Sequence, residues 1–258
     1  MLVPLPRVLL DAATPDHFLL GPSILLVMIP LRPERSRYVL FLFRRVRIAR
    51  SRRSSISRTA VSAAPAKPHV IVVAGPNGAG KSTAAPYLLR DALEVGEFVN
   101  ADAIAAGLSA FRPESVAIAA GRIMLARMRR LATTREDFAF ETTLASRSFA
   151  PWLARLQRSG YHVHLLFLWL RSADLAVSRV AERVRLGGHD VPGAVVRRRY
   201  RAGLSNFFRL YLPLADSWQL FDNSEAAGPR PVAAGERNAV HVLGDAETWR
   251  TLKESFDD

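Results

Sequence analysis

No cysteine occurs among the 258 residues. That absence excludes a disulfide scaffold, a thiolate zinc site, an iron–sulfur cluster and a cysteine nucleophile. It is compatible with a reducing compartment. A long hydrophobic run is missing as well. The best candidate, HFLLGPSILLVMIPL at 17–31, is interrupted by Gly21, Pro22 and Pro30, whereas a membrane-spanning helix needs roughly 20 unbroken apolar residues. No transmembrane span is therefore expected. The order of charged and apolar residues at the start also fits a secretory signal poorly, and a cytoplasmic location is the expectation. From Arg44 to Lys67 there is no acidic residue at all.

What remains is ordinary for a folded protein. Hydrophobic residues make up 49% and charged residues 23%, enough apolar material for a sizeable core and too much for wholesale disorder. The net charge of +13 invites a nucleic-acid reading, but its distribution weakens that reading. Residues 1–69 carry 12 Arg/Lys against 3 acids, and the other 189 residues carry 24 against 20. The basicity belongs to the first quarter of the chain. Residues 1–67 are expected to form a basic, poorly ordered extension, with Met28 as an alternative start. An Arg- and Ser-rich transit peptide, or a tail that binds membrane or nucleic acid, are the competing readings. Residues 68–258 are expected to form one catalytic domain.

That domain opens with HVIVVA (69–74), a β-branched apolar run of the kind found in a strand buried on both faces. GPNGAGKST follows at 75–83, and then a helix-forming stretch expected over 81–92. Gly75, Gly80, Lys81 and Ser82 fit G-x-x-x-x-G-K-[ST] in the strand–loop–helix setting that makes the motif informative. Glycines at 75, 78 and 80 let backbone N–H groups turn inward around phosphate oxygens. The whole loop, Gly75, Pro76, Asn77, Gly78, Ala79, Gly80, Lys81, Ser82 and Thr83, is thus expected to bind a nucleoside triphosphate. Lys81 would reach the β/γ-phosphates and Ser82 would ligate Mg²⁺. ATP is the expected nucleotide, with GTP the alternative.

Downstream, strands and helices alternate, which predicts an α/β fold of three layers, a parallel sheet flanked by helices. Strands are expected near 97–100, 137–141, 162–169, 217–222 and 239–243, and helices near 113–131, 147–158, 172–186 and 192–208. Ligands of such sheets bind beyond the carboxyl ends of the strands. Asn100 and Asp102 stand there after the second strand, and Glu141, Thr142 and Thr143 after the third. A carboxylate ending an apolar strand suits Mg²⁺ or its water shell. One at the second strand can face an acceptor hydroxyl. Each alone could equally be a helix cap. Asn100, Asp102, Glu141 and Thr142 are the expected substrate contacts, and Ser82 with Glu141 the expected metal site.

The segment 179–203 reads as a helix, a Gly-Gly turn and a second helix opened by Pro192. It is rich in arginine: Arg179, Arg183, Arg185, Arg197, Arg198, Arg199 and Arg201. Such a pair suits a helical lid that closes over a triphosphate. A solvated basic face or an RNA-binding surface is the alternative. Arg185 and Arg198 flank the turn and are the expected phosphate-neutralising pair. Absent motifs narrow the class further. No N-K-x-D guanine-reading motif, no transporter-ATPase signature and no apolar strand ending in consecutive acids is present. A kinase remains.

Weaker features take plainer readings. His162 and His164 share a strand face, and hydrogen-bonded strand histidines are the default over a metal pair lacking a third ligand. His189, in the glycine turn, is either a substrate contact or a turn-stabilising residue. Phe207, Phe208, Tyr211 and Trp218 are expected in the core, and 226–238 is expected to be a surface loop.

Taken together, GPNGAGKST, FVNADAIA (98–105), FAFETTLAS (138–146), LRSADLAVSRVAERVRLGGHDVP (170–192) and RRRY (197–200) resemble the zeta-toxin-type P-loop kinases, specifically their small bacterial branch. The resemblance runs from about His69 to Asn223. It implies phosphorylation of a sugar hydroxyl, in characterised members the 3′-hydroxyl of UDP-N-acetylglucosamine. A toxin-like protein kept silent by an antitoxin partner that covers the nucleotide site is a further alternative. By position the resemblance makes Asp102 the base, Glu141 the acidic residue after the third strand, and Arg185 and Arg198 the lid arginines. Lys81, Arg185, Arg198 and Asp102 are the expected catalytic set. The partners expected are a nucleoside triphosphate, a small hydroxyl-bearing substrate and an antitoxin. Nucleic acid is not expected, and a polynucleotide kinase or nucleic-acid-binding ATPase is the alternative function.

Overall fold

The computed structural model of the chain describes residues 17–19, 24–30, 38–44, 67–86, 89, 95–188 and 190–256. Two compact units divide it, Met1–Val46 and Arg47–Asp258. In the first, strands β1 (His17–Leu19), β2 (Ile24–Pro30) and β3 (Tyr38–Arg44) pair antiparallel in sequence order. The sequence had suggested no regular structure there. Most of the extension lies outside the described residues.

The second unit is built on a seven-stranded sheet. Its strands are β4 (His69–Ala74), β5 (Phe98–Val99), β6 (Phe138–Thr142), β7 (His162–Trp169), β8 (Ser217–Asp222), β9 (Arg230–Glu236) and β10 (Ala239–Leu243). Across the sheet they run β10-β9-β8-β7-β4-β6-β5. The first five are mutually parallel, as the alternating pattern predicts, and β9 and β10 add an antiparallel extension. β4 is flanked by strands on both sides, so its run of Val and Ile is buried on both faces, each residue from Val70 to Ala74 at most 2% exposed. From β4 the chain first visits one side of the sheet and then the other. The carboxyl end of β4 is therefore a switch point where a crevice opens.

Helices α1 (Lys81–Pro86), α2 (Ala101–Leu108), α3 (Ala117–Thr133), α4 (Phe149–Arg158), α5 (Ala173–Arg185), α6 (Gly193–Asn206) and α7 (Ala246–Glu254) complete the unit. Part of the helix expected over 81–92 lies outside the described residues. Pro113 opens a short 3₁₀ turn ahead of α3 rather than the helix itself. Ser172 caps α5, its side chain accepting from the Leu175 N–H at 3.1 Å, as its sequence position predicts. Met124, Met128 and Leu131 of α3 and Leu153 and Leu156 of α4 join Phe138, Phe140, Val163, Leu165 and Phe167 in one core. Phe207, Tyr211 and Trp218 are buried there too, as expected of aromatics at that spacing.

In the second unit three elements were not read from the sequence. β9 occupies what was expected to be a surface loop, because Pro231 and Gly235 look like breakers. Gly235 is in fact demanded by contact: a Cβ there would lie 1.9 Å from the Ala239 carbonyl oxygen and 2.8 Å from the Trp218 ring. The short helices α2 and α7 were missed as well. Each starts at a capping side chain, Asn100 or Asp245.

At the amino ends of the parallel strands three imidazoles gather. His69 and His164 share a ring-nitrogen hydrogen bond of 2.7 Å, and His164 Nδ1 meets Ser217 Oγ at 2.6 Å. His162 stacks beside His69. This is the hydrogen-bonded role expected of strand histidines, and among the described residues no group of three or more His, Cys, Asp or Glu is placed to hold a metal. His189 is outside the described residues. Burial lowers the pKa of His69 and pushes that of His164 down to about 3 from 6.5. The unfolded chain thus binds more protons than the folded one below about pH 6.5, so stability falls as the pH drops through that value toward 3. Thermal melting between pH 7 and pH 5, a window above most carboxylate titration, should show a falling midpoint. In His164→Asn the slope should be visibly flatter, and an unchanged slope would refute the assignment.

Candidate active site

β4 ends at Ala74, and the chain turns at once into the glycine loop. Gly75, Gly78 and Gly80 all have positive φ, 142°, 78° and 78°, conformations that cost little only for glycine. The space is as restrictive as the dihedrals. A Cβ on Gly75 would stand 2.2 Å from the Leu168 carbonyl oxygen, one on Gly78 would meet the Ala176 carbonyl at 2.9 Å, and one on Gly80 would meet Asn223 Nδ2 at 2.8 Å. Asn223 Nδ2 also donates to the Ala79 carbonyl at 2.8 Å. Arg179 in turn donates to the carbonyls of Asn223 and Ser224. The loop is thereby braced from β7, from α5 and from the segment after β8.

Lys81 points back into the loop it follows. Its Nζ donates to the Pro76 carbonyl at 2.9 Å and stands 3.6 Å from Glu141 Oε1. Burial lowers its pKa from the ordinary lysine value, Glu141 and Asp102 pull it back up, and the nearby charge of Arg183 pulls it down. An arriving polyphosphate would add to the side that favours the ammonium.

Glu141 is engaged on both of its oxygens. Ser82 Oγ donates to its Oε2 at 2.8 Å, and Asn100 Nδ2 donates to the same oxygen at 2.7 Å. Asp102 stands in the first turn of α2, exposed, and no described residue donates a hydrogen bond to its carboxylate. Both carboxylates line one cleft of about 500 Å³, together with Asn77, Lys81, Asn100, Thr142, Thr143, Ser146, Arg198 and Arg199. Asn77 Oδ1 is buried with no hydrogen-bond partner among the described residues.

The expected residues are therefore largely assembled. Arg198 reaches the cleft. Arg185 does not: it is exposed at the end of α5 and is absent from the lining. Arg199 lines the cleft beside Arg198, and half-buried Arg183 is close enough to act electrostatically on Lys81. Neither was singled out from the sequence, since choosing among adjacent arginines requires the rotation of each helix about its axis. Arg197 is committed elsewhere, in an ion pair with Asp174 that joins α6 to α5. Helix α6 is seated by Gly203, where a Cβ would meet the Thr143 carbonyl at 2.3 Å, and by Asn206, which donates to the Leu144 carbonyl at 2.8 Å.

The donor set suits a small hard cation. Ser82 Oγ and Glu141 Oε2 lie 2.8 Å apart, close to the separation of neighbouring oxygens around an octahedral ion with bonds of about 2.1 Å. Oxygen donors beside a phosphate cradle fit magnesium better than a softer metal.

The zeta toxin family profile matches residues 53–225, about two thirds of the chain and every residue of the cleft. The chain belongs to the zeta toxin family. This zeta toxin relative is 28% identical over 130 residues to an uncharacterized protein of Haemophilus influenzae, covering 50% of this chain and 91% of that one. Its fold resembles a chain of the AvrRxo1-ORF1:AvrRxo1-ORF2 complex solved with sulphate ions, with a TM-score of 0.59 at 16% identity. The same complex solved with ATP gives 0.58 at 18% identity. This chain spans 64% of that chain's length, and the two alignments cover 73% and 72% of this chain.

Gly75→Ala should both weaken nucleotide binding and lower stability by roughly 1–3 kcal/mol, through strained backbone and the clash with Leu168. Gly121→Ala in α3, where a Cβ meets nothing within 4 Å, should instead stabilise by about 0.5–1 kcal/mol. Denaturant titration of both variants checks this opposition of sign, and a stabilised Gly75→Ala would contradict the described loop.

Proposed function

We propose that the protein is an ATP-dependent kinase that transfers the γ-phosphoryl group to a hydroxyl of a small molecule, with UDP-N-acetylglucosamine the leading acceptor. One observation carries this reading most: two carboxylates share a cleft with the phosphate loop, in opposite situations. Glu141 is occupied by Ser82, Asn100 and Lys81. Asp102 is open to the cleft and available to a ligand. An engaged carboxylate suits charge placement, and a free one suits proton acceptance.

In this reading the loop amides and Lys81 hold the β- and γ-phosphates. Asp102 orients the acceptor hydroxyl and takes its proton as the oxygen attacks the γ-phosphorus. The bond from that phosphorus to the β–γ bridging oxygen breaks, and ADP leaves with the electron pair. Ser82, with Glu141, would hold Mg²⁺, which supplies charge neutralisation at the phosphate oxygens. Arg198 faces the transferring group, and Arg185 would join it by movement of the chain about Gly187 and Gly188. Because transfer is chiefly positioning and electrostatics, the exposed Asp102 and the cleft-lining Arg198 act on rate more than on folding. The family name supports a toxic activity, and a neutralising partner protein belongs to the same reading. A cytoplasmic site of action follows from the substrates, and no described helix is long and apolar enough to cross a membrane.

Purified protein supplied with Mg·ATP and UDP-N-acetylglucosamine should release ADP. Asp102→Asn should lower kcat by about 10²–10⁴-fold. Arg198→Ala should lower it by about 10³-fold. Wild-type turnover in the Asp102 variant would remove it as the base. Preferential phosphorylation of oligonucleotide 5′-ends would replace the acceptor class. Growth arrest on expression, lost in Lys81→Ala, would support the toxin reading.

A further inference from the structure

Both ends of the Asn100 amide are engaged. The residue is 8% exposed. Its Oδ1 accepts from the backbone N–H groups of Asp102 at 2.7 Å and Ala103 at 3.2 Å, while its Nδ2 donates to Glu141 Oε2 at 2.7 Å. The oxygen thus caps the helix that carries Asp102. The nitrogen grips the carboxylate that also binds Ser82 and faces Lys81. One side chain connects the two halves of the cleft.

We propose that Asn100 is a positioning residue that fixes Asp102 relative to the phosphate loop through Glu141; the roles of those two carboxylates rest on the kinase reading above. Capping alone does not explain the residue type, because serine and aspartate cap helices as well as asparagine does. Neither can make the second contact. A serine hydroxyl at this position is too short to reach Glu141 while capping. An aspartate would set two carboxylates against each other, so that one must hold a proton. Glutamine adds a methylene that displaces the cap. Asparagine alone satisfies both ends. The coupling matters because displacing a reacting group by about 1 Å can cost on the order of 10² in rate.

The test uses the full chain and needs no knowledge of the acceptor. Affinity for a fluorescent ATP analogue is measured with and without Mg²⁺ in wild type, Asn100→Ser, Glu141→Ala and the double variant. Asn100→Ser should weaken Mg²⁺-dependent binding by about tenfold, the loss typical of a residue that orients a ligand rather than binding it directly. In the Glu141→Ala background the same substitution should change it less than about twofold. Equal losses in both backgrounds overturn the proposal. In turnover, Asn100→Ser should lower kcat by about 10–100-fold with the acceptor KM unchanged. A raised KM at unchanged kcat would make Asn100 a substrate contact instead. If wild type phosphorylates no acceptor, the kinase reading fails, while the binding cycle still decides the link between Asn100 and Glu141.

Discussion

The Glu141 carboxylate is the junction on which the cleft depends. It receives Ser82 and Asn100 on one oxygen and faces Lys81 with the other. Only 11% of its side chain is exposed, so removing its partners would strand a nearly buried charge, a change that usually costs several kcal/mol. Its position is set by the sheet. β6 pairs with β4 so that Glu141 lies opposite Val73 and Thr142 opposite Ala74. The last rungs of the ladder thus deliver the acidic side chain to the point where the glycine loop begins. A slip of one residue in that register would turn it to the other face of the sheet.

The arginines of α5 and α6 illustrate how a basic run is divided by its surroundings. Arg179 is spent on carbonyls of the segment after β8, and Arg197 on Asp174. Arg198 and Arg199 are left to face the cleft. The helix that carries them does not hang free. Tyr200 donates to the Leu170 carbonyl at 2.6 Å and accepts from the Trp169 indole at 3.1 Å. Gly203 lets the same helix touch the loop after β6. A basic cluster that looks uniform in sequence is therefore partly framework and partly available charge.

Much of this was legible from the amino acids. β7, β8 and β10 fall where the apolar runs place them, Asp102 and Glu141 meet the glycine loop in one cleft as residues at the ends of parallel strands should, and Arg198, expected because it flanks the Gly-Gly turn, lines the same cleft. What was not legible depended on contacts distant in sequence. Gly235 reads as a breaker until the Trp218 ring and the Ala239 carbonyl are seen against it. Arg183 and Arg185 are two residues apart on one helix, and only the packing of that helix leaves the first half-buried, near enough for its charge to act on Lys81, and the second in solvent. The double engagement of Asn100 joins β6 to α2, and no local pattern reports it.

The bracing of the glycine loop has a consequence for how much of the chain the loop requires. Its outermost support, the Asn223–Ser224 segment that holds Ala79 and receives Arg179, stands at the very end of the stretch matched by the family profile, which stops at residue 225. Every brace on the glycine loop lies before that point. The hairpin β9–β10 and helix α7 lie beyond it yet still wall the shared core, with Trp249 stacked on Trp218 and Val232 and Leu252 buried beside it, so a cut at residue 225 would leave the loop's braces in place while uncovering that indole.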